Sequence, residues 1–175
     1  MNHHTTQFVV SACLLFVTLS FGGTPMFTPV DGFELSKYLG TWYEIARMPA
    51  SFEKDLVGVT ATYSVRSDGK VDVLNKGCKK TIDGEKSVAR GKAKFAGDPT
   101  KGHLKVAFFW IFYADYVVVA LDKEHYDYAL VISSKSYMWI LSRKPTLDAS
   151  ILTRLIGQAK GLGIDTSKLI MTPQS

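Results

Sequence analysis

The chain has 175 residues, of which 46% are hydrophobic and 12% aromatic, enough for one well-buried domain and too few for two. It carries 21 Lys and Arg against 16 Asp and Glu, a formal net charge of +5. The basic residues are spread singly along the chain, so we predict no nucleic-acid partner. We expect the positive charge to aid solubility and to attract the protein mildly to anionic membrane surfaces.

Residues 1–22 predict a secretory signal peptide. They contain no Lys, Arg, Asp or Glu, and FVVSACLLFVTLSFG is an apolar run of about 15 residues. A membrane-spanning helix needs roughly 20 apolar residues, so this run is too short to cross a bilayer. Ser20 and Gly22 supply small residues near a cleavage point after Gly22. The mature domain is then 23–175.

A second interpretation of the leader takes VSAC, residues 10–13, as a lipidation box with Cys13 as the acylated N-terminus. It requires a very short leader and leaves an apolar segment in the mature protein, so we favour cleavage after Gly22. That cleavage also removes Cys13 and leaves Cys78 alone, which predicts a mature domain without an intrachain disulfide.

From Trp42 onward the dominant period is two, with short runs broken by turn residues about every ten positions. Asp68-Gly69 predicts a two-residue hairpin turn, and Asp83-Gly84 a second turn. After the strand that contains Trp42, the predicted strands lie in VGVTATYSV, KVDVLNKG, SVARGKAKFAG, HLKVAFFWIF, DYVVVALD, YDYALVIS and SYMWILSR.

After Pro145 the period becomes helical, because Ile151, Leu155, Ala159 and Leu162 form one apolar stripe. We expect Asp148 to cap the start of this helix, GLG at 161–163 to end it, and its apolar face to pack on the sheet. The final segment KLIMT is expected to pair with the first strand.

Eight sequential strands with short connections favour an all-β, antiparallel up-and-down barrel with one helix outside, because closure removes exposed sheet edges. Eight strands also leave an interior that can hold one small ligand.

Three blocks of the sequence resemble the signatures of a known family. YLGTWYEIARMPASFEKD resembles the Gly-x-Trp block of the lipocalins, FFWIFYADYVVVALD the block around the sixth strand, and YMWILSRKP the block that ends the eighth. The chain is similar to the bacterial outer-membrane group of this family, which itself is similar to apolipoprotein D.

The resemblance implies a structural plug made by Trp42 and Arg143. These residues lie on the first and last barrel strands, which are neighbours once a barrel closes. In the family the Arg stacks on the Trp and hydrogen-bonds toward the N-terminal coil, closing one end. Arg suits this role because its planar guanidinium can stack and donate several hydrogen bonds together.

The resemblance places ligand-binding residues at Tyr63, Asn75 and Trp139, and strand alternation agrees. If Arg143 points inward, Leu141 and Trp139 follow on the same face, and Val73 and Asn75 share the inner face of another strand. We predict Tyr63 and Asn75 as polar groups near the mouth that hold a lipid head, and Trp139 as an apolar wall. Val73 and Leu141, on the same inner faces, complete the predicted ligand-binding residues.

Several other residues have two interpretations each. By alternation Glu44 points inward, where it either hydrogen-bonds within the barrel or lies at a bend. Cys78 is either a catalytic thiol or a rim residue; we favour the rim, since no His is near in sequence. His103 and His125 lack a second ligand at helical or strand spacing, so we favour solvated side chains over metal or haem ligands.

The segment FFWIFY, residues 108–113, is either a membrane-docking patch or a set of packing and pocket-lining side chains. Together with the predicted barrel, the resemblance to the lipocalins implies a protein that is not an enzyme, uses no cofactor, and binds and carries an amphiphilic lipid, a fatty acid or lysophospholipid, in the periplasm or at the outer membrane of a bacterium. The competing hypotheses are an enzyme on the same fold that uses Cys78, and a haem or pigment carrier.

Overall fold

The structure, a computed structural model, describes residues 25–108 and 113–175. The predicted leader with Cys13 and residues 109–112 of the aromatic segment lie outside the described residues. The described residues contain nine strands, two α-helices and two 3-10 turns. The strands are β1 (Gly40–Arg47), β2 (Leu56–Val65), β3 (Val71–Lys79), β4 (Lys86–Phe95), β5 (His103–Ala107), β6 (Ala114–Leu121), β7 (Tyr128–Ser134), β8 (Tyr137–Ser142) and β9 (Ile170–Met171). The helices are α1 (Leu35–Tyr38) and α2 (Ala149–Gly161), and the 3-10 turns are Ser51–Glu53 and Thr166–Lys168.

Strands β1 to β8 form a closed antiparallel up-and-down barrel, which confirms the predicted fold. Each strand pairs with the next along the chain, and β1 closes the ring by pairing with both β8 and β2. The short β9 adds to β1 through the pairs Ala46 with Met171 and Arg47 with Ile170, as predicted for the KLIMT segment. Strand β5 ends at Ala107, before the aromatic segment that the sequence analysis included in it.

The alternation of strand β1 is interrupted by a register shift between Glu44 and Ala46. A bulge inserts an extra residue and reverses which face the following side chains occupy. Trp42 packs inside the barrel, whereas Ala46 belongs to the core outside it, and the side chain of Arg47 hydrogen-bonds to Glu44. This bulge therefore explains how Glu44 and Arg47, three residues apart, come together.

Helix α2 covers the outside of the barrel. The carboxylate of Asp148 accepts hydrogen bonds from the backbone N–H groups of Ser150 (2.8 Å) and Ile151 (3.3 Å), so the predicted N-cap is confirmed. Leu155 and Ala159 are fully buried in the core between helix and barrel wall. Among the described residues, no helix is both long enough and apolar enough to span a membrane.

The prediction that Leu162 is the last buried residue of the apolar stripe on α2 is wrong. Leu162 is 41% exposed because the helix ends at Gly161 and the chain then turns through Gly163, whose φ is +84°. Ile164, buried after this turn, takes the place in the outer core that the helical spacing assigned to Leu162.

Candidate functional site

One end of the barrel is closed by stacked side chains. The guanidinium carbon of Arg143 lies 3.9 Å from the centre of the fully buried Trp42 ring. Arg143 also donates hydrogen bonds to the carbonyl oxygens of Lys37 (2.6 Å), Thr41 (3.0 Å) and Tyr126 (3.2 Å). The structure thus brings together the two residues of the predicted plug and links them to α1 and the loop between β6 and β7.

A chain of three tyrosine hydroxyls lies directly above the plug and forms the floor of the barrel interior. The hydroxyl of Tyr116 is 2.7 Å from that of Tyr38 and 2.7 Å from that of Tyr63. Burial raises the pKa of Tyr63 to about 12 and the pKa values of the other two well above their usual value, so all three stay neutral donors and acceptors.

Tyr63 lines the barrel interior, but the prediction that it contacts a lipid head near the mouth is wrong, because Tyr63 lies at the closed end of the barrel. Tyr63 pairs with Gly40 at the start of β1, beside Trp42, so it lies at the closed end. Its hydroxyl is already bonded to Tyr116. Alternation fixes which face a side chain occupies, but the position along the strand fixes its depth.

Between this floor and the opposite end, the barrel encloses a cavity of about 560 Å³, here called the calyx. Small-molecule sites in proteins span about 300 to 1,000 Å³. The calyx is lined by all five predicted ligand-binding residues: Tyr63, Val73, Asn75, Trp139 and Leu141. Further lining comes mostly from small and apolar side chains, including Leu56, Val59, Ala61, Ala89 and Val106.

Asn75 projects an unsatisfied acceptor into this apolar space. Its Oδ1 is buried and has no hydrogen-bond partner among the residues that the structure describes. A buried acceptor without a donor costs roughly 1 to 3 kcal/mol, so such groups are usually paired. A donor on a bound ligand is one way to satisfy this oxygen.

A buried ion pair lies toward the mouth. Arg47 Nη1 donates to Glu44 Oε1 (2.8 Å) and to Thr172 Oγ1 (2.9 Å), and the Thr172 hydroxyl donates to the same carboxylate oxygen (2.6 Å). Glu44 is 3% exposed, and its burial raises its pKa despite these partners. Both interpretations of Glu44 hold, because it hydrogen-bonds inside the barrel and adjoins the bulge of β1.

A second carboxylate, that of Glu53, was missed by the sequence analysis. Glu53 ends the 3-10 turn between β1 and β2 and lines the calyx, and its Oε2 accepts a hydrogen bond from Trp139 Nε1 (3.1 Å). Burial, and next the negative charge of Glu44, raise the pKa of Glu53 to about 7. The sequence predicted Trp139 as an apolar wall. Its ring does line the calyx, but its indole N–H also donates a hydrogen bond to the Glu53 carboxylate.

The mouth of the calyx is rimmed by aromatic side chains. Phe52 is 62% exposed and its ring centre lies 5.7 Å from that of Tyr137, which in turn stacks at 6.4 Å on Trp139. Phe108, 39% exposed, also lines the calyx. The first residue of the predicted aromatic segment, Phe108, thus reaches the mouth, and residues 109–112 lie outside the described residues.

Cys78 and the two histidines of interest lie outside the calyx lining. Cys78 is a partly exposed free thiol near the end of β3. His103 Nε2 lies 2.6 Å from Asp115 Oδ1, and His125 is exposed on the loop before β7. Within residues 25–108 and 113–175, no His, Cys, Asp and Glu side chains form a group that could hold a metal ion.

Comparison with known proteins identifies the family. The family model of the lipocalin-like domain matches residues 33–174, which is most of the chain. The chain belongs to the lipocalins. The resemblance drawn from the three sequence blocks is thereby confirmed, and the closed barrel with its outer helix is the lipocalin fold in this chain.

Bacterial and animal lipocalins of known name are similar over most of their length. The outer membrane lipoprotein Blc of Vibrio cholerae is 45% identical over 163 residues, covering 93% of this chain and 95% of the relative. The Blc protein of Escherichia coli K12 is 47% identical over 148 residues, covering 84% and 82%. Mouse apolipoprotein D is 36% identical over 154 residues, covering 83% and 79%.

Solved structures show the same fold. Insecticyanin from the tobacco hornworm Manduca sexta superposes with a TM-score of 0.70 at 26% identity, covering 88% of this chain and 87% of that one. Lobster apocrustacyanin A1 superposes with a TM-score of 0.61 at 20% identity, covering 86% and 92%, a likeness in fold alone.

Proposed function

We propose that this lipocalin binds one single-chain amphiphilic lipid, a fatty acid or lysophospholipid, with the acyl chain in the calyx and the polar head toward the mouth. The observation that carries the proposal is the calyx itself: about 560 Å³, walled mainly by apolar side chains, closed by the plug at one end and rimmed by exposed aromatic residues at the other. We further propose that its role is to carry or store such lipids in the bacterial envelope.

The physical driving force is the burial of methylene groups. Each methylene moved from water into an apolar site contributes about 0.8 kcal/mol, so a long chain supplies most of the affinity. Polar groups near the ligand then orient the head. Asn75 Oδ1 has an open acceptor position, and Glu53 lies at the mouth end of the calyx. Such binding requires no catalytic group.

We propose an envelope location because the Vibrio and Escherichia relatives are named outer membrane lipoproteins. The same names favour the second interpretation of the leader, in which Cys13 is acylated, over cleavage after Gly22. The intact mass of the protein purified from membranes distinguishes the two. A mature chain that begins at Cys13 with acyl groups supports anchoring, and an unmodified chain that begins at Gly23 supports the signal-peptide prediction.

Fluorescence titration with fatty acids tests the calyx as the binding site. Trp139 lines the calyx, whereas Trp42 is sealed beneath Arg143. Binding of hexadecanoic acid should therefore change the tryptophan fluorescence, and Trp139→Phe should remove most of the change. The control Trp42→Phe should retain it.

Chain length supplies an independent test. Removing two methylenes from the acid forfeits roughly 1.6 kcal/mol of burial, which weakens binding by up to about 15-fold. An affinity that does not depend on chain length, or a fluorescence change that persists in Trp139→Phe, would exclude the calyx as the lipid site.

A further inference from the structure

The buried charges at the mouth of the calyx do not balance. Two carboxylates, Glu44 and Glu53, share one guanidinium, that of Arg47, and all three residues are less than 10% exposed. Arg47 Nη1 is bonded to Glu44 and Thr172, and Nη2 donates to the backbone oxygens of Glu53 (2.8 Å) and Leu56 (3.3 Å). The terminal nitrogens of Arg47 thus donate to Glu44, to Thr172 and to the backbone, and neither bonds to the Glu53 carboxylate.

The Glu53 carboxylate is left with few donors. From the described residues it receives one hydrogen bond, from Trp139 Nε1, although an ionised carboxylate has about four acceptor sites. Within the described part of the chain, the remaining donor of Arg47, Nε, has no hydrogen-bond partner; it lies 3.9 Å from Glu53 Oε2, beyond hydrogen-bonding distance. A buried carboxylate in this state requires a proton or a second positive charge.

A second and independent observation points to the same ligand chemistry. Asn75 on β3 lines the same calyx as Glu53, and its buried Oδ1 accepts no hydrogen bond from any described residue. An ionised fatty acid head brings only more acceptors. An ammonium group brings three N–H donors and a positive charge.

Resting on the proposed function, we propose that Glu53 makes the calyx select an amphiphile whose head carries an ammonium group over an ionised fatty acid. The ammonium belongs either to a free long-chain amine or to a phosphoethanolamine head. The Glu53 carboxylate forms the ion pair with it at the mouth, and the single chain occupies the calyx.

Other charged and titratable groups face the same space from the neighbouring elements, and they set the field in which Glu53 acts. They are Glu44 and Arg47 on β1, Tyr63 on β2, Lys76 on β3, and Asp115 and Tyr116 on β6. The buried pair of Glu44 and Arg47 is neutral overall, the tyrosines are neutral, and Lys76 is exposed to solvent. Glu53 is therefore the buried carboxylate at the mouth whose counter-charge, Arg47, lies 3.9 Å away and is shared with Glu44. Its pKa, raised to about 7, shows that it takes up a proton more readily than an ordinary carboxyl group when no ammonium group is bound.

The test compares two probes with the same chain, hexadecylamine and hexadecanoic acid, at pH 8 on the full-length protein. The variants are Glu53→Gln, which keeps the shape of the side chain, and the matched control Glu85→Gln. Glu85 is an exposed carboxylate on the turn between β3 and β4. We expect Glu53→Gln to weaken the amine about tenfold and to strengthen the acid, since loss of one charge partner corresponds to at least one pKa unit of interaction. Glu85→Gln should change both affinities less than twofold.

A measurement on the unaltered protein keeps the proposal testable if Glu53→Gln fails to fold. Calorimetry at pH 8 in two buffers of different ionisation enthalpy reports the protons taken up on binding. Hexadecanoic acid should bind with proton uptake, and hexadecylamine without it. Equal proton uptake for the two probes would overturn the proposal, as would a Glu53→Gln variant that binds both probes with unchanged or equally altered affinity.

Two lysophospholipids with the same acyl chain distinguish the sources of the ammonium group. Lysophosphatidylethanolamine carries the ammonium, and lysophosphatidylglycerol does not. If Glu53→Gln weakens the binding of lysophosphatidylethanolamine but not of lysophosphatidylglycerol, the phosphoethanolamine head is the source of the ammonium group. If Glu53→Gln weakens the binding of hexadecylamine but of neither lysophospholipid, a free amine is the source. Failure of all probes to bind the unaltered protein would instead refute the proposed function.

Discussion

Replacing Arg143 by Ala removes the plug and should lower the free energy of unfolding by about 2 to 3 kcal/mol. The stacking of the guanidinium on Trp42 at 3.9 Å accounts for about 1 to 2 kcal/mol, because the ring is fully buried and the contact is partly desolvated. The hydrogen bond to the partly buried carbonyl of Tyr126 adds about 1 kcal/mol. The bonds to Lys37 and Thr41 lie at the surface, where water replaces the lost donor, so they add little.

Urea unfolding followed by tryptophan fluorescence measures this change, and two variants serve as controls. Arg143→Lys keeps the charge but loses the planar group, so it should recover less than half of the loss. Arg154 also lies over an aromatic ring, that of Tyr128 at 5.2 Å, and donates to its hydroxyl (2.9 Å), but Arg154 is exposed. Arg154→Ala should therefore cost less than about 0.5 kcal/mol.

The lipid affinity of Arg143→Ala shows whether Arg143 acts as a plug or as a ligand-binding residue. Arg143 lies below the tyrosine floor and outside the calyx lining, so Arg143→Ala should leave the affinity for hexadecanoic acid within about twofold wherever the variant is folded. Equal stability of Arg143→Ala and the parent, or equal losses in Arg143→Ala and Arg154→Ala, would refute the argument that burial gives this contact its strength.

Three further predictions concern the calyx. Asn75→Leu removes an unpaired buried acceptor, so it should raise the unfolding free energy of the lipid-free protein by about 1 kcal/mol in urea titrations while weakening lipid binding up to about tenfold in fluorescence titrations. Tyr63→Phe breaks the hydroxyl chain at Tyr116, and should cost roughly 0.5 to 1.5 kcal/mol of stability with little loss of head-group affinity; the reverse pattern would return Tyr63 to the binding role. The pKa of Glu53 is raised from 4.5 to about 7, so between these pH values the folded protein holds a proton that the unfolded chain releases. The free energy of unfolding should therefore fall as the pH rises through this interval. Urea unfolding at a series of pH values should show a smaller fall in Glu53→Gln.

The strands and the outer helix could be predicted from the sequence because each depends on a short-range pattern. Period-two alternation predicts the strands, and the resemblance of the Gly-x-Trp block and of the segment around Arg143 to the lipocalin signatures predicts which two strands meet. The apolar stripe with Asp148 before it likewise predicts α2. The alternation of apolar and polar residues recurs in strand after strand, so a single irregularity does not hide it.

The mouth of the calyx could not be predicted in the same way. The bulge after Glu44 reverses the alternation of β1, so counting residues gives the wrong face for Arg47. Glu53 lies in a 3-10 turn, where no period marks buried positions. Tyr63 shows the third limit, since alternation assigned its face correctly but said nothing about its depth, which the pairing with Gly40 sets.

Because Tyr43 on β1 pairs with Ser142 on β8, the ring closes only after almost the whole barrel sequence is available. Contacts so far apart in sequence make folding slow compared with helical proteins of similar size. Until β8 docks, the growing sheet has two free edges whose unpaired N–H and C=O groups can pair with other chains. A nascent or truncated chain that ends before Tyr137 is therefore prone to aggregate, and residues 137–142 convert it into a ring without such edges.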